Sequence, residues 1–214
     1  MQYIFEQDLF IGGMETTATS MEWAITALLR HPRVAKKLQE EIDSIVGEER
    51  MVTESDLPSM HYLQYVIKES LRLYMPGPLL LPHENSEAVT VGPQGNVIPK
   101  KTKLFVNAWA ISRDPNVWED PEEFKPERFE GNKSFEYQGQ KYDMLPFGTG
   151  RRGCPGGHMA IGQMSFVLAQ FWHCFDWMLE GHPADLDMEE EFGATVSRKN
   201  HLYVIPSLKL TETF

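Results

Sequence analysis

The sequence predicts a mainly α-helical fold with small β-sheets, and three observations lead to this fold class. Between Tyr3 and Tyr74, apolar residues recur every three or four positions, which is the spacing of amphipathic helices. The middle of the chain instead carries short apolar and β-branched runs that Pro, Gly and Asn interrupt, as short strands do. A long apolar helical pattern then follows a glycine-rich stretch and begins at about His158.

Three helices are expected in the first part of the chain. Their predicted ranges are Tyr3 to about Leu29, Pro32 to a stop at Gly47, and about Met60 to Tyr74 before Pro76. Proline favours the first turn of a helix and glycine the position just past its end, which sets the limits of the second helix. The first pattern begins without a capping signal, so we expect further sequence upstream of Met1.

The second part of the chain is predicted to contain short strands and one long helix. The strand-like runs are 79–81, 88–91, 97–98 and 104–107, with two more at 194–196 and 202–205. Residues 113–146 show little periodicity, and we expect an irregular segment that is functional or held by its own side chains. Trp109, Trp118 and Phe124 are expected to pack in the core and the loops. The apolar helix is expected from about His158 to Phe175.

Composition limits the class of protein. The 214 residues suffice for one domain or part of a larger one, and 42% hydrophobic with 24% charged residues indicates a globular chain. The net charge of -11 argues against nucleic acid as the main partner, because phosphate binding needs a basic surface. Two cysteines, Cys154 and Cys174, make no disulfide framework and favour a reducing setting. The chain shows neither a membrane-spanning run nor a signal peptide.

A glycine-rich loop from Phe147 to Gly156 is the strongest candidate for a functional site. Its glycines allow sharp turns and a close approach to a flat ligand. Cys154 comes just before a predicted helix N-terminus, where amides stabilise a thiolate, and Arg152 suits a carboxylate. Two alternatives stand beside this interpretation. One is a loop around a buried structural cysteine, and the other is a phosphate-binding loop, although the Lys and Ser or Thr of that motif are lacking.

Two further groups of residues lie on the predicted helices. Glu69 and Arg72 are three residues apart on one helix face and can form an ion pair, which on a surface contributes little to stability. Gly12 and Gly13 lie inside the first helix, directly before Glu15 and Thr16. Glycine is unfavourable in a helix interior, so this pair needs a local reason.

The loop contains the order Phe-x-x-Gly-x-Arg-x-Cys-x-Gly, which resembles the haem-binding signature of the cytochrome P450 family. Its fixed places are filled by Phe147, Gly150, Arg152, Cys154 and Gly156. The resemblance implies that Cys154 is the iron ligand of haem b and that a thiolate ligand favours oxygen activation. It also implies that Phe147 shields the sulfur and that amides of the loop tune it.

The same resemblance implies roles for other residues. Glu69 and Arg72 would meet Arg128 of the Pro126 to Phe129 segment in a buried charged network that braces the haem core. Thr16 would hydrogen-bond the oxygen ligand and Glu15 would gate protons, with a turn of the helix widened at the two glycines. His83 would contact a haem propionate, and a loop histidine with satisfied hydrogen bonds stays an equal alternative.

The resemblance extends over nearly the whole chain. It implies that residues 1–214 form a single partial domain, the C-terminal portion of a plant-type microsomal member whose N-terminal part is absent. The implied function is a monooxygenase that takes electrons from an NADPH-dependent reductase and oxidises a hydrophobic small molecule. Its apolar pocket would include Phe10, Ile11 and Met14, residues 79–81 and the turn at 195–197. Membrane contact, at the cytosolic face of the endoplasmic reticulum, would come only through the missing part.

Two alternative functions remain open at this point. One is a haem-thiolate isomerase or dehydratase, which keeps the haem and does not activate oxygen. Glu15 and Thr16 favour the monooxygenase over this alternative. The other is a truncated, non-catalytic fragment of such an enzyme, an alternative that the abrupt start at Met1 favours, and we expect residues 1–214 by themselves not to be a working monooxygenase.

Overall fold

The computed structural model describes residues 2–131 and 142–209 of the protein. Within these ranges the chain forms five α-helices and eight short strands. The helices are α1 (Gln2–Arg30), α2 (Pro32–Val46), α3 (His61–Leu73), α4 (Ala108–Ile111) and α5 (Gly157–Cys174). The mainly α prediction is therefore confirmed, and the limits of the four long helices agree with the sequence within one or two residues.

Local signals explain where α2 begins and ends. Pro32 occupies the first turn, and Gly47 follows the last residue with a φ of 77°, a left-handed conformation that glycine adopts without strain. Between these limits α2 buries one face, made of Val34, Leu38 and Ile42, together with Val46. The apolar spacing in the sequence therefore corresponds to the face that meets the core.

The core lies where the four long helices pack against one another. Its fully buried side chains come from each of them and include Leu28, Leu38, Ile67 and Leu168. Trp23 of α1 stacks on Tyr74, just past α3, with ring centroids 4.9 Å apart and planes within 7°. Among the described residues, none of the helices has the length and apolarity that crossing a membrane requires.

The described strands pair into four two-stranded antiparallel sheets. Their partners are β1 (His83–Glu84) with β4 (Lys103–Leu104), β2 (Val89–Val91) with β3 (Asn96–Ile98), β5 (Phe175–Met178) with β8 (Ile205–Leu208), and β6 (Glu190–Phe192) with β7 (Val196–Arg198). The prediction of small sheets is confirmed. The predicted strands at 88–91 and 97–98 correspond to β2 and β3.

Several predicted strands were wrong in part or entirely. The run 79–81 is not a strand, because residues 77–80 form a turn in which Leu80 has a φ of 52° and donates its N–H to the Gly77 carbonyl at 3.1 Å. The run 104–107 ends as a strand at Leu104, because Asn107 instead caps α4 through a 2.9 Å hydrogen bond from the Ala110 N–H. In each case a hydrogen bond within a tight turn replaces the expected ladder.

The tail also differs from its prediction. Strand β7 begins only at Val196, and β8 begins only at Ile205. The N–H of Leu202, expected in a strand, donates to the Glu22 carboxylate of α1 at 2.8 Å. Strands β5 and β6 were not predicted, and β5 starts at Phe175, the residue at which the apolar pattern of α5 ends.

The irregular segment is held by its own side chains, as expected for its described part. Trp118 and Phe124 are each 3% exposed, and the Trp118 indole N–H lies within hydrogen-bonding distance of the Ile111 and Asp143 carbonyls, at 3.3 and 3.2 Å. Residues Pro126–Phe129 form a short 3-10 helix. Trp109 is 43% exposed and lies under the Arg113 guanidinium at 4.4 Å, so it packs on the irregular segment and not in the core.

Candidate functional site

The cysteine loop is a compact turn closed by its own backbone. The Cys154 N–H donates to the Phe147 carbonyl at 2.8 Å, and the Gly153 N–H donates to the Gly150 carbonyl at 3.1 Å. Gly148 and Gly150 have φ angles of 64° and 70°, in the left-handed region where a side chain would be strained. The glycines are therefore needed for the path of the backbone that presents Cys154.

Cys154 is exposed, whereas Cys174 is buried. The interpretation of a buried structural cysteine thus describes Cys174, whose sulfur contacts Gln170 and Met51, and not Cys154. Helix α5 begins three residues after Cys154, and no side chain caps its N-terminus at Gly156. An accessible thiol beside an uncapped helix N-terminus is an environment that favours a thiolate.

Two glycines leave room beside the sulfur and the aromatic ring of the loop. A Cβ added to Gly156 would lie 3.9 Å from the Cys154 sulfur. A Cβ added to Gly157 would lie 3.2 Å from Cγ of Phe147, closer than ordinary van der Waals contact. The Phe147 ring therefore packs directly on the first residue of α5, on the same short turn as Cys154.

Two exposed basic side chains lie in or near this turn, Arg152 and His83. Neither makes a hydrogen bond or ion pair with the part of the chain that the structure describes. His83 lies in β1, three residues after Leu80, whose Cδ1 would lie 3.8 Å from a Cβ placed on Gly148 of the cysteine loop. The contact of His83 with a haem propionate stays a prediction, as does the alternative of a satisfied loop histidine.

Glu69, Arg72 and Arg128 form one buried network, as their resemblance to the family implied. Arg72 contacts Glu69 through two hydrogen bonds of 2.8 and 2.9 Å, and both side chains are fully buried. Arg128 Nε donates to Glu69 Oε1 at 3.0 Å from the 3-10 helix Pro126–Phe129. The Lys125 N–H donates to the same oxygen at 2.8 Å, so the carboxylate is shared by two cations and an amide.

Backbone carbonyls accept the remaining protons of the two guanidinium groups. Arg72 donates to the carbonyls of Ser112 and Pro121 at 2.8 and 2.7 Å, and Arg128 donates to the Glu119 carbonyl at 2.7 Å. A buried ion pair is costly unless its remaining donors are satisfied, and here they are. The network therefore fixes the irregular segment against α3. These carbonyl partners could not be predicted from the sequence, because every residue carries a backbone carbonyl.

A second cluster, also missed from the sequence, surrounds Glu127, which lies next to Arg128 on the 3-10 helix. Its carboxylate accepts hydrogen bonds from Arg33 at 2.7 Å and from the Tyr62 hydroxyl at 2.9 Å. Burial alone would raise the pKa of Glu127, but these hydrogen bonds outweigh it and hold the pKa at about 2. Glu127 thus joins α2, α3 and the irregular segment.

Thr16 donates its hydroxyl to the Gly12 carbonyl at 2.6 Å, one turn earlier in α1. The expected widened turn is absent, since α1 is α-helical throughout the described residues Gln2–Arg30. The hydroxyl instead shares a carbonyl of the regular helix, a bond that commonly bends helices. A Cβ on Gly12 or Gly13 would meet nothing within 4 Å, so the described residues leave this face of the helix open.

Glu15 points to a different partner from Thr16. Its Oε1 accepts a 2.8 Å hydrogen bond from the Thr195 hydroxyl, 180 residues away in the turn between β6 and β7. Phe10, Ile11 and Met14, the apolar residues expected beside this motif, are 66%, 63% and 57% exposed. The region around Glu15 is therefore an exposed apolar surface with one fixed carboxylate.

A single segment, residues 76–80, connects the two groups of candidate residues. The Val196 N–H, next to Thr195, donates to the Pro76 carbonyl at 2.9 Å. At the other end of the segment, Leu80 Cδ1 lies near the cysteine loop, 3.8 Å from the position that a Cβ on Gly148 would take. The described residues hold no cluster of three or more His, Cys, Asp or Glu side chains that could bind a metal ion.

Comparisons with known proteins agree with this geometry. The family model described as cytochrome P450 matches residues 6–205. The chain is 54% identical to cytochrome P450 750A1 of Pinus taeda and 48% identical to cytochrome P450 CYP736A12 of Panax ginseng, over 95% of its own length in both alignments. It spans 39% and 41% of the lengths of these relatives.

Solved structures show the same relationship at the level of the fold. The chain superposes on a zebrafish cytochrome P450 with progesterone at a TM-score of 0.80 and 33% identity, covering 94% of this chain and 44% of that one. A second zebrafish structure, with abiraterone, gives a TM-score of 0.83 at 32% identity, covering 94% and 47% of the two chains. The prediction of a cytochrome P450 fold portion is confirmed, and the chain belongs to the cytochrome P450 family.

Proposed function

We propose that this chain supplies the thiolate side of a haem monooxygenase and that Cys154 is the iron ligand. The observation that carries the proposal is the exposed Cys154 thiol on a closed glycine turn before the uncapped N-terminus of α5. The residues present fit a flat, anionic cofactor, because Gly156 keeps the space beside the sulfur open and Arg152 and His83 remain without partners among the described residues. Haem b is the group that the family implies.

When bound, haem iron with a thiolate ligand supplies the chemistry of oxygen activation. The side chains of this protein would bind and orient the cofactor. Cys154 would bind the iron as a thiolate, and Arg152 and His83 would pair with the propionates as charge-assisted hydrogen-bond donors. Phe147, packed on Gly157, would keep water from the sulfur. The Glu69 network would hold the surrounding elements in place.

The proton-handling residues would be Glu15 and Thr16 of α1. The Thr16 hydroxyl has a fixed position because it donates to the Gly12 carbonyl, and it can hand a proton onward when its acceptor changes. Glu15 lies next to it, is exposed and can take up a proton from solvent. This pair supports oxygen activation over the isomerase or dehydratase chemistry that the same haem site could carry.

The substrate would be a hydrophobic small molecule, which the exposed apolar side chains beside Glu15 support. Relatives carry the names iridoid oxidase, from Catharanthus roseus at 48% identity, and 3,9-dihydroxypterocarpan 6A-monooxygenase, from Glycine max at 45%. Both names denote oxidation of small organic molecules. Electrons would come from an NADPH-dependent reductase, and the full-length protein would lie at the cytosolic face of the endoplasmic reticulum.

The test is the absorption spectrum of the reduced, carbon-monoxide-bound protein that carries this chain. The unmodified protein should show the strongly red-shifted Soret band of a thiolate ligand, and Cys154→Ser should lose it. Cys174→Ser is the matched control, because Cys174 is buried in the core and should leave the band unchanged. A spectrum typical of histidine ligation, or an unchanged band in Cys154→Ser, would overturn the proposal.

A further inference from the structure

We infer that Thr195 is a positioning residue that orients the carboxylate of Glu15 for proton transfer, an inference that rests on the proposed function. The Thr195 hydroxyl donates to Glu15 Oε1 at 2.8 Å. Thr195 is 8% exposed, whereas Glu15 is an exposed side chain on the surface of α1. The hydroxyl is therefore the fixed member of the pair, and the carboxylate is the member that it restrains.

The backbone beside Thr195 is held by two other elements. The Val196 N–H donates to the Pro76 carbonyl at 2.9 Å, and the Val196 carbonyl accepts from the Trp23 indole at 3.1 Å. The Gly193 N–H closes the turn by donating to the Thr195 carbonyl at 3.1 Å. Both backbone groups of the neighbouring residue are thus anchored, so the backbone that carries Thr195 does not follow a moving glutamate.

Strand β7 is also fixed to α1 further along. Arg198 is 3% exposed and donates to the Thr26 hydroxyl at 2.8 Å and to the Asp187 carbonyl at 2.7 Å. Thr26 and Glu15 are 11 residues apart, about three helical turns, so they lie on one face of α1. The turn therefore contacts one face of α1 at Glu15, Trp23 and Thr26, with Thr195 at the end nearest Glu15.

The chemical consequence lies in the two oxygens of the carboxylate. A bond to Oε1 selects one orientation of a long side chain that would otherwise sample several rotamers, and among the described residues Oε2 has no hydrogen-bond partner. Proton transfer depends steeply on distance and alignment, so a fixed Oε2 transfers protons faster than a mobile one. The proton that moves is carried by Glu15 and replaced from water, while the Thr195 hydroxyl keeps its own.

The first test measures the contact without enzymatic activity. Thr195→Val removes the hydroxyl at nearly constant shape, and Thr195→Ser keeps it. In a double-mutant cycle with Glu15→Ala, Thr195→Val should lower the folding equilibrium constant by roughly tenfold when Glu15 is present, the order expected for a hydrogen bond to a charged group. The loss should be much smaller in the Glu15→Ala background. Additive effects of the two substitutions would overturn the inference.

The second test uses the haem-loaded, full-length protein with its reductase. Thr195→Val should raise the hydrogen peroxide released per NADPH consumed several-fold, and Thr195→Ser should restore the ratio. A raised KM at an unchanged ratio would show that Thr195 only lines the substrate pocket, and would overturn the inference alone. If the unmodified protein lacks the thiolate spectrum, the proposed function fails and the inference fails with it.

Discussion

Replacing Arg72 by alanine should cost more stability than any other single change in the Glu69 network. Arg72 is fully buried and makes five hydrogen bonds, two to Glu69 and one each to the carbonyls of Ser112, Pro121 and Glu123. The substitution removes all five and leaves a cavity in a packed interior. The loosened region includes the segment that the network fixes against α3.

The loss of stability in Arg72→Ala depends on which of the former acceptors of Arg72 still have another hydrogen-bond donor. Removing one partner of a buried ion pair typically costs about 3–5 kcal/mol. Glu69 would still accept hydrogen bonds from Arg128 and the Lys125 N–H, which reduces the cost. The carbonyl of Ser112 would lose a buried donor, which adds about 1–3 kcal/mol. We therefore expect Arg72→Ala to lower the free energy of unfolding by about 3–4 kcal/mol, against a typical total of about 5–15 kcal/mol.

Arg128→Ala provides an internal comparison. It leaves the two-fold contact of Arg72 with Glu69 intact, and its own side chain is 8% exposed, so water can reach part of the site. It removes one hydrogen bond to the Glu69 carboxylate and three to backbone carbonyls at the exposed edge of the site, where water can replace the donor. Its cost should therefore be smaller, about 1.5–3 kcal/mol, the loss expected for the hydrogen bond to the charged group alone. Lys36→Ala is the surface control, because its ion pair with Glu40 is 3.7 Å long and mostly exposed, and it should change nothing measurable.

Equilibrium urea unfolding, followed by circular dichroism and tryptophan fluorescence, measures these differences, and haem content after purification measures their consequence. Arg72→Ala should yield little haem-loaded protein. The reasoning is refuted if Arg72→Ala is as stable as Lys36→Ala, or if it keeps full haem content while turnover alone is slowed. The second result would place Arg72 in the chemistry and not in the fold.

Three further predictions concern other parts of the site. The pKa of Glu127 is held at about 2 against an ordinary 4.5, so the stability that its carboxylate contributes should be present above pH 4.5 and disappear as the pH falls towards 2. Glu127→Gln should lose this pH dependence of the free energy of unfolding. Equal pH profiles of unfolding for the variant and the unmodified protein would contradict the prediction. Thr16→Ala should raise the peroxide released per NADPH consumed, and it should not lower the free energy of unfolding, because alanine favours helices. An unchanged ratio of peroxide to NADPH would exclude a role of Thr16 in proton delivery. Gly157→Ala should push the Phe147 ring by a few tenths of an ångström and alter the Soret band. Gly162→Ala is the control and should leave the band unchanged, because a Cβ at Gly162 meets nothing within 4 Å among the described residues. Identical spectra of the two variants would show that the ring tolerates the shift.

Local features of this protein were predictable from its sequence. Pro32 and Gly47 limit α2 because their dihedral preferences act on the residues themselves and need no distant partner. The order of residues from Phe147 to Gly156 indicated a cysteine site for the same reason, since the turn is closed by bonds within the loop. The resemblance also pointed to Arg128 as the third member of the Glu69 network.

Predictions from propensity failed where a hydrogen bond competed with it. Residues 79–81 have a strand composition, yet the Leu80 N–H donates to the Gly77 carbonyl in a turn, and the Leu80 side chain lies near Gly148 of the cysteine loop. Apolar residues in a short run can serve either a strand or a packed turn, and only the neighbours decide between them. The widened turn of α1 was implied by the resemblance and not by propensity, and the described residues show instead a regular helix in which the Thr16 hydroxyl bonds to the Gly12 carbonyl.

The sequence by itself determined the helices, the cysteine turn and the charged residues available to each. Tertiary structure decided which of them meet, such as Glu15 with Thr195 across 180 residues and Arg72 with carbonyls 40 to 51 residues away. The physical reason is that periodicity and dihedral preference act within a few residues, whereas a hydrogen bond across the core depends on the packing of whole elements. The hydrogen-bond partner of a threonine in a turn, or of a backbone carbonyl, cannot be predicted from the neighbouring sequence, because the packing of the helices selects it.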